Sequence, residues 1–153
     1  KEFNSFTRYS LQELDKSDWI ITSLKFDNYG NLWIASNLGV HRLEMETGEV
    51  NTVVLLTNGP KVQDKHFYSI TKVQNGDIWL AGASGVYKSD WARRNTIVKQ
   101  SYSTESQLLD YAEHIIEVDE GQLLVSNKDQ VWLINSIDFS SRVFKNIYQG
   151  NTQ

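Results

Sequence analysis

The stretch that decides the fold is FDNYGNLWIASNLGV, residues 26–40. A turn at Asn28-Tyr29-Gly30 precedes the apolar run Leu-Trp-Ile, and a second glycine turn follows that run. Short apolar segments separated by glycine turns predict consecutive antiparallel strands. The pattern returns as KVQNGDIWLAGASGV, residues 72–86, and more weakly as EVDEGQLLVSNKDQV, residues 117–131. The chain is therefore predicted to consist of repeats.

The repeats share one period of 46 and then 45 residues. Three sets of landmarks follow it: Gly30, Gly76 and Gly121; Trp33, Trp79 and Leu124; and Val40, Val86 and Val131. Each repeat is predicted to form four strands. They run over 20–26, 32–36, 40–44 and 50–56 in the first repeat, 67–73, 78–82, 86–89 and 96–101 in the second, and 114–118, 123–127, 131–135 and 142–147 in the third.

A four-stranded antiparallel unit of about 40–50 residues is the period of a β-propeller blade. The sequence thus predicts an all-β partial propeller with blades over 18–56, 65–101 and 111–149, preceded by an orphan outer strand within 1–10. Blade sheets cover each other's faces, so we expect Trp33 and Trp79 to pack between blades. Propellers close with about 4–8 blades. Three blades predict a fragment of a longer propeller, or an arc completed by other copies of the chain through apolar blade faces.

Composition excludes several classes of function. The chain has 153 residues, a net charge of -4 and a pI of about 5.3, which argues against nucleic-acid binding. No apolar run approaches the ~18 residues of a membrane span, so no direct membrane insertion is expected. Cysteine is absent, and His41, His66 and His114 lack metal-ligand spacing. No catalytic motif, metal site or cofactor is predicted, and His41 is expected to pack in the core.

The first repeat resembles the two-component regulator propeller repeat, whose form is roughly Ile-x-x-Leu, Asp, Gly-Asn-Leu-Trp-Ile and then Gly-Leu/Val with an aromatic residue or His. The matching positions are Ile21, Leu24, Asp27, Gly30, Asn31, Leu32, Trp33, Ile34, Gly39, Val40 and His41. The second repeat has Val73 in place of the Asp, and the third lacks the Trp. The resemblance implies a non-catalytic periplasmic or cell-surface sensor segment of a hybrid two-component regulator. It further implies Bacteroides-like bacteria and a carbohydrate breakdown product as the signal.

The loops that lead into the innermost strands combine acidic and aromatic residues. An aromatic ring beside hydrogen-bonding groups suits a sugar, whose C–H face packs on the ring while its hydroxyl groups need polar partners. The candidate ligand-binding residues for an oligosaccharide are Trp19, Asp64, His66, Tyr68, Asp110 and Tyr111. The alternative is that these aromatic residues only anchor each blade against the core.

Two other functions stay open. One is a propeller scaffold of a cell-surface or secretion protein, whose partners would be proteins. The other is an enzyme resembling the virginiamycin B lyase propellers, whose repeats share the Gly-Asn-Leu-Trp element. A membrane helix and kinase encoded downstream would favour the sensor, and a sorting domain would favour the scaffold.

Overall fold

The computed structural model describes residues 7–9, 18–56, 65–104 and 107–144. Within these residues every regular element is a β-strand. The strands are β1 (Ile21–Phe26), β2 (Asn31–Ser36), β3 (Gly39–Glu44), β4 (Val50–Thr52), β5 (Val54–Leu56), β6 (Phe67–Lys72), β7 (Ile78–Gly82), β8 (Gly85–Ser89), β9 (Thr96–Gln100), β10 (His114–Asp119), β11 (Gln122–Ser126), β12 (Val131–Asn135) and β13 (Ser141–Phe144).

The strands form three sheets, one for each predicted repeat. The first has the order β1-β2-β3-β4, the second β5-β9-β8-β7-β6 and the third β10-β11-β12-β13. Neighbouring strands within each repeat pair antiparallel. The strands that begin the three repeats, β1, β6 and β10, lie side by side in that order. This is the arrangement of neighbouring propeller blades, and the prediction of a partial β-propeller is confirmed.

Glycine turns separate the strands where the sequence predicts them. Gly30 and Gly76 end the turns into β2 and β7 with φ of 80° and 92°, a region that favours glycine. The turn between β11 and β12 lacks glycine and is closed differently. There the Asn127 side-chain oxygen accepts hydrogen bonds from the backbone N–H groups of Asp129 and Gln130, at 3.3 and 3.0 Å. Asparagine thus closes the turn with its own side chain.

Apolar side chains from adjacent blades make up the core. Trp33 of the first blade is buried with Phe67 and Ile70 of the second. Trp79 of the second blade is buried in the same way with Leu123 and Ile115 of the third. The prediction that both tryptophans pack between blades is therefore confirmed.

Only the second blade is covered on both faces by described blades. All five residues of β7 are buried, as a strand between two sheets requires. In β11, buried and half-buried residues alternate, because one face packs on the second blade and the other meets no described blade. Leu24 of the first blade is 52% exposed, whereas its repeat equivalents Ile70 and Ile115 are 7% and 4% exposed against the preceding blade.

Serine hydroxyl groups join the innermost strands at repeating positions. Ser23 Oγ accepts a hydrogen bond from the Ile70 N–H at 3.2 Å, and Ser69 Oγ accepts one from the Ile115 N–H at 3.4 Å. These hydrogen bonds fix the position of each innermost strand along the innermost strand of the next blade.

The outermost strand of the first repeat differs from its prediction. The sequence predicts one strand over 50–56, but the structure has two, β4 and β5. β4 pairs with β3 of its own blade, and β5 pairs in parallel with β9 of the second blade. Val53, between them, turns its buried side chain into the core shared by the two blades. The single predicted strand is wrong because the chain crosses from one sheet to the next at this residue.

Two other predictions concern the ends of the chain. The orphan strand within 1–10 falls mostly outside the described residues, and residues 7–9 form no strand. The last predicted strand, 142–147, corresponds to β13, and its final residues lie outside the described part.

Candidate functional site

Three of the predicted ligand-binding residues lie together where the chain leads into the innermost strands. His66 precedes β6, Tyr68 belongs to β6, and Tyr111 precedes β10. The ring centres of His66 and Tyr68 are 6.5 Å apart, and those of Tyr68 and Tyr111 are 6.0 Å apart. Both pairs meet edge to face, the geometry that aromatic rings prefer.

Charged groups flank these rings. The Tyr111 hydroxyl donates a hydrogen bond of 2.7 Å to Glu113 Oε1. Lys128 Nζ lies 5.8 Å from the centre of the Tyr111 ring. We call His66, Tyr68, Tyr111 and Glu113 the mouth cluster. It combines aromatic edges with a carboxylate and a neighbouring ammonium group, so it can offer both apolar contact and hydrogen bonds.

The hydrogen bond to Glu113 raises the pKa of the Tyr111 hydroxyl, and burial and the neighbouring Tyr68 act in the same direction. Tyr111 therefore stays protonated across the physiological range. Its hydroxyl is a fixed donor to Glu113, which leaves the second carboxylate oxygen of Glu113 for another donor.

Of the other three predicted residues, the structure describes Trp19 and Asp110, and neither has a ring contact with the mouth cluster among the described residues. Trp19 packs edge to face against His41 at 4.8 Å. Asp110 is exposed on the loop beside Tyr111. Asp64 lies outside the described residues.

The contact between Trp19 and His41 lies at the start of the first blade. His41 is 2% exposed, and burial lowers its pKa, so the imidazole is neutral at physiological pH. Within the described part of the chain, neither Trp19 Nε1 nor His41 Nδ1 has a hydrogen-bond partner. The prediction that His41 packs in the core is confirmed.

A concave site that the sequence does not predict lies between the first and second blades. We call it the seam cavity. It has a volume of about 270 Å³ and is lined by Tyr29, Trp33, Arg42, Ser89, Asp90, Trp91, Arg94, Asn95 and Thr96. The Trp91 ring meets Tyr29 at 5.4 Å and Trp33 at 6.1 Å. In the sequence, the only indication of this site is Trp91 near Arg93-Arg94. The contact of that turn with the first blade is visible only in the folded structure.

Two further observations on the described residues concern a metal-binding group and a membrane-spanning helix. No group of three or more histidine, aspartate or glutamate side chains in the described ranges is arranged to hold a metal ion. The same residues include no helix with the length and apolar character of a membrane span.

Comparison with known proteins identifies the class of fold. No family model and no curated protein matches the chain. Among solved structures, it is similar to virginiamycin B lyase from Staphylococcus aureus, with a TM-score of 0.65 and 18% identity over 89% of this chain and 44% of the lyase. It is also similar to the extracellular domain of the putative hybrid two-component system BT4673 from B. thetaiotaomicron, with a TM-score of 0.66 and 16% identity over 88% of this chain and 20% of that chain.

These similarities show the fold alone: the chain is built of β-propeller blades. It spans less than half the length of the virginiamycin B lyase chain and about a fifth of the length of the BT4673 chain. Because an enzyme and the extracellular domain of a putative two-component system share this fold, the function depends on the sites of this chain.

Proposed function

We propose that this chain is a non-catalytic ligand-recognition segment of an extracytoplasmic sensor, with the mouth cluster as its binding site for a carbohydrate breakdown product. The observation that carries the proposal is the pair Tyr68 and Tyr111, packed at 6.0 Å beside Glu113. A pyranose ring presents C–H groups to aromatic surfaces and hydroxyl groups to carboxylates. Glu113 and Lys128 supply the polar partners around the rings.

A periplasmic or cell-surface location and a signalling role belong to the same proposal. They are supported by the fold shared with the extracellular domain of BT4673 and by the repeat motif of the first blade. The output kinase would belong to other parts of a larger protein.

The experiment is a titration of the purified chain with a panel of neutral and acidic oligosaccharides, followed by calorimetry. For the oligosaccharide that binds, Tyr111→Ala should weaken binding by roughly three- to tenfold or more, since it removes an aromatic contact. Tyr111→Phe keeps the ring, so it should lose only what the bond to Glu113 contributes. Tyr9→Ala, at a partly exposed tyrosine outside both candidate sites, is the matched control.

Binding that is unchanged in Tyr111→Ala would remove the mouth cluster from consideration. If no oligosaccharide binds to the folded natural chain, the proposed carbohydrate class of ligand is wrong. Trp19 contacts His41 of the first blade. Weaker binding in Trp19→Ala would therefore show that the binding site extends to the first blade.

A second candidate is a scaffold that binds protein partners or completes a propeller with further blades. It is supported by the apolar faces that the first and third blades leave open, for example at Leu24 and Val118, which are 52% and 50% exposed. Further blades of a longer protein, or other copies of this chain, would cover these faces. An enzyme resembling the lyase stays a third possibility, to be tested by assaying the chain for cleavage of streptogramin B antibiotics.

A further inference from the structure

The seam between the first and second blades contains an open cavity with aromatic walls. Trp33, 2% exposed, forms its floor. Tyr29 from the first blade and Trp91 from the second also line the cavity, with their ring centres 5.4 Å apart. Trp91 is held in place, because its Nε1 donates a 2.9 Å hydrogen bond to Asp77 Oδ1. The ring is therefore positioned before any ligand arrives.

The next seam, between the second and third blades, shows how the same place can be filled. There Tyr102 lies against Trp79, the repeat equivalent of Trp33, with ring centres 6.5 Å apart. Tyr102 is 1% exposed, contacts Phe139 on its other side, and donates a hydrogen bond of 3.2 Å to the Asn135 carbonyl. Two blades can therefore pack with an aromatic side chain filling the space beside the tryptophan at this repeat position. The cavity between the first and second blades is thus not a necessary result of blade packing.

Polar groups of the seam cavity are fixed in place. Arg42 is 7% exposed, and its Nη1 donates a 2.6 Å hydrogen bond to Asn95 Oδ1. Asn95 has a left-handed backbone with φ of 57°, and its carbonyl accepts the Val54 N–H at 2.7 Å. These bonds place a guanidinium group and an amide side chain on the cavity wall with little freedom to move.

The charges around the seam cavity balance. Arg42 Nε lies 3.7 Å from Asp27 Oδ2, and Arg42 Nη1 lies 3.8 Å from Glu44 Oε1. Arg94 pairs with Glu44, and Arg93 pairs with Asp90 at 3.8 Å. Two guanidinium groups on the wall disfavour a cation, while carboxylates already partner both of them and so reduce the attraction for an anion. The wall therefore favours an uncharged ligand.

We propose that the seam cavity binds one uncharged, hydroxyl-bearing six-membered ring, a single pyranose unit. A volume of about 270 Å³ admits one ring rather than a chain of them. The aromatic walls take its C–H face, while Asp90, Arg94 and Asn95 are hydrogen-bonding side chains in the lining. This site is separate from the mouth cluster and does not depend on the function proposed for it.

The experiment follows the indole N–H signals of the five tryptophans by NMR while methyl α-glucopyranoside, methyl β-galactopyranoside and methyl α-mannopyranoside are added separately. At least one should shift the Trp91 and Trp33 signals saturably, with the millimolar dissociation constant of a single-ring ligand. Glucuronate and choline, the charged comparisons, should bind at least about tenfold more weakly.

Variants then assign the site. Trp91→Ala should weaken binding by roughly three- to tenfold or more. Tyr29→Ala should do so as well, and because Tyr29 is 75% exposed this second variant should remain folded if Trp91→Ala does not. Tyr111→Ala in the mouth cluster should leave the Trp91 shift unchanged.

The proposal would be overturned by the absence of a saturable Trp91 shift with all three neutral glycosides, by tighter binding of glucuronate or choline, or by unchanged affinity in folded Tyr29→Ala. A Trp91 shift that disappears in Tyr111→Ala would mean that the signal comes from the mouth cluster, and it too would overturn the seam site. Failure of oligosaccharides at the mouth cluster would leave this result standing, so the two proposals are distinguishable.

Discussion

At the scale of single residues, Asp27 organises the first blade. Its carboxylate, 4% exposed, accepts hydrogen bonds from the backbone N–H groups of Tyr29 and Asn31 and from Trp33 Nε1, at 2.8, 2.9 and 3.0 Å. In the second blade Val73 occupies this position, and Trp79 Nε1 has no hydrogen-bond partner among the described residues. A buried valine can thus occupy the position of the aspartate, but the indole N–H of the following tryptophan then lacks an acceptor.

We expect Asp27→Asn to lower the free energy of unfolding by about 2–4 kcal/mol, because it weakens several buried hydrogen bonds and leaves Arg42 without its nearest charge. Urea unfolding followed by tryptophan fluorescence measures the loss. Asp77→Asn is the matched control. The Asp77 carboxylate binds Lys88 and Trp91 nearer the surface. The decrease in the free energy of unfolding should therefore be clearly smaller in Asp77→Asn than in Asp27→Asn. Equal losses would mean that Asp27 does not organise the blade.

The same variant has a pH signature. Burial acts to raise the pKa of Asp27, but the hydrogen bonds from Asn31, Trp33 and Tyr29 outweigh it and lower the pKa below its ordinary value. The stabilisation is therefore complete above the unfolded pKa of about 3.9 and is lost as the pH falls through the folded value. The difference in stability between the natural protein and Asp27→Asn should accordingly shrink in that acidic range.

At the scale of elements, the sequence predicts most strands because glycine turns and apolar runs are local signals. β7 and β12 have their predicted bounds. The division of the first outer strand into β4 and β5 was not predictable, because 53–56 is a continuous apolar run and its pairing partner β9 lies far along the chain. The mouth cluster was partly predictable, since equivalent loops approach neighbouring strands. The seam cavity was not, because it needs Trp91 of one blade to meet Tyr29 of another.

The two glycines that begin the third strands of the first and second blades provide an element-scale test. Gly39 and Gly85 have φ of 123° and 114°, so alanine is strained at both, at a cost of about 1–3 kcal/mol. A Cβ at Gly39 meets nothing within 4 Å, but at Gly85 it comes within 2.9 Å of the Leu109 carbonyl oxygen. Gly85→Ala should therefore lower the melting temperature more than Gly39→Ala. Equal melting temperatures would show that the loop at Leu109 moves away freely.

At the scale of the whole molecule, the open blade faces predict association. Leu24 lies where Ile70 and Ile115 pack on a preceding blade, and Val118 is the repeat equivalent of the buried Val73. Sheet faces of this kind are apolar surfaces that bury themselves against a matching blade. The faces at the two ends of the described array thus carry the positions that form the two sides of a blade-to-blade contact elsewhere in the chain.

We expect the chain to self-associate with rising concentration, and Leu24→Asp or Val118→Asp to shift sedimentation velocity profiles toward the monomer. Ile137→Asp is the control, since Ile137 is 71% exposed within a turn. A chain that is monomeric at all accessible concentrations, or an equal effect of Ile137→Asp, would contradict this use of the faces.

The parallel pairing of β5 with β9 has a consequence for how the chain unfolds. Repeat arrays ordinarily lose their units one by one, because each touches only its neighbours. Here β5, which follows the first blade, is hydrogen-bonded to the outermost strand of the second blade. Separating the two blades therefore also breaks the hydrogen bonds between β5 and β9. These two blades should melt as one cooperative body, with the third free to fray separately.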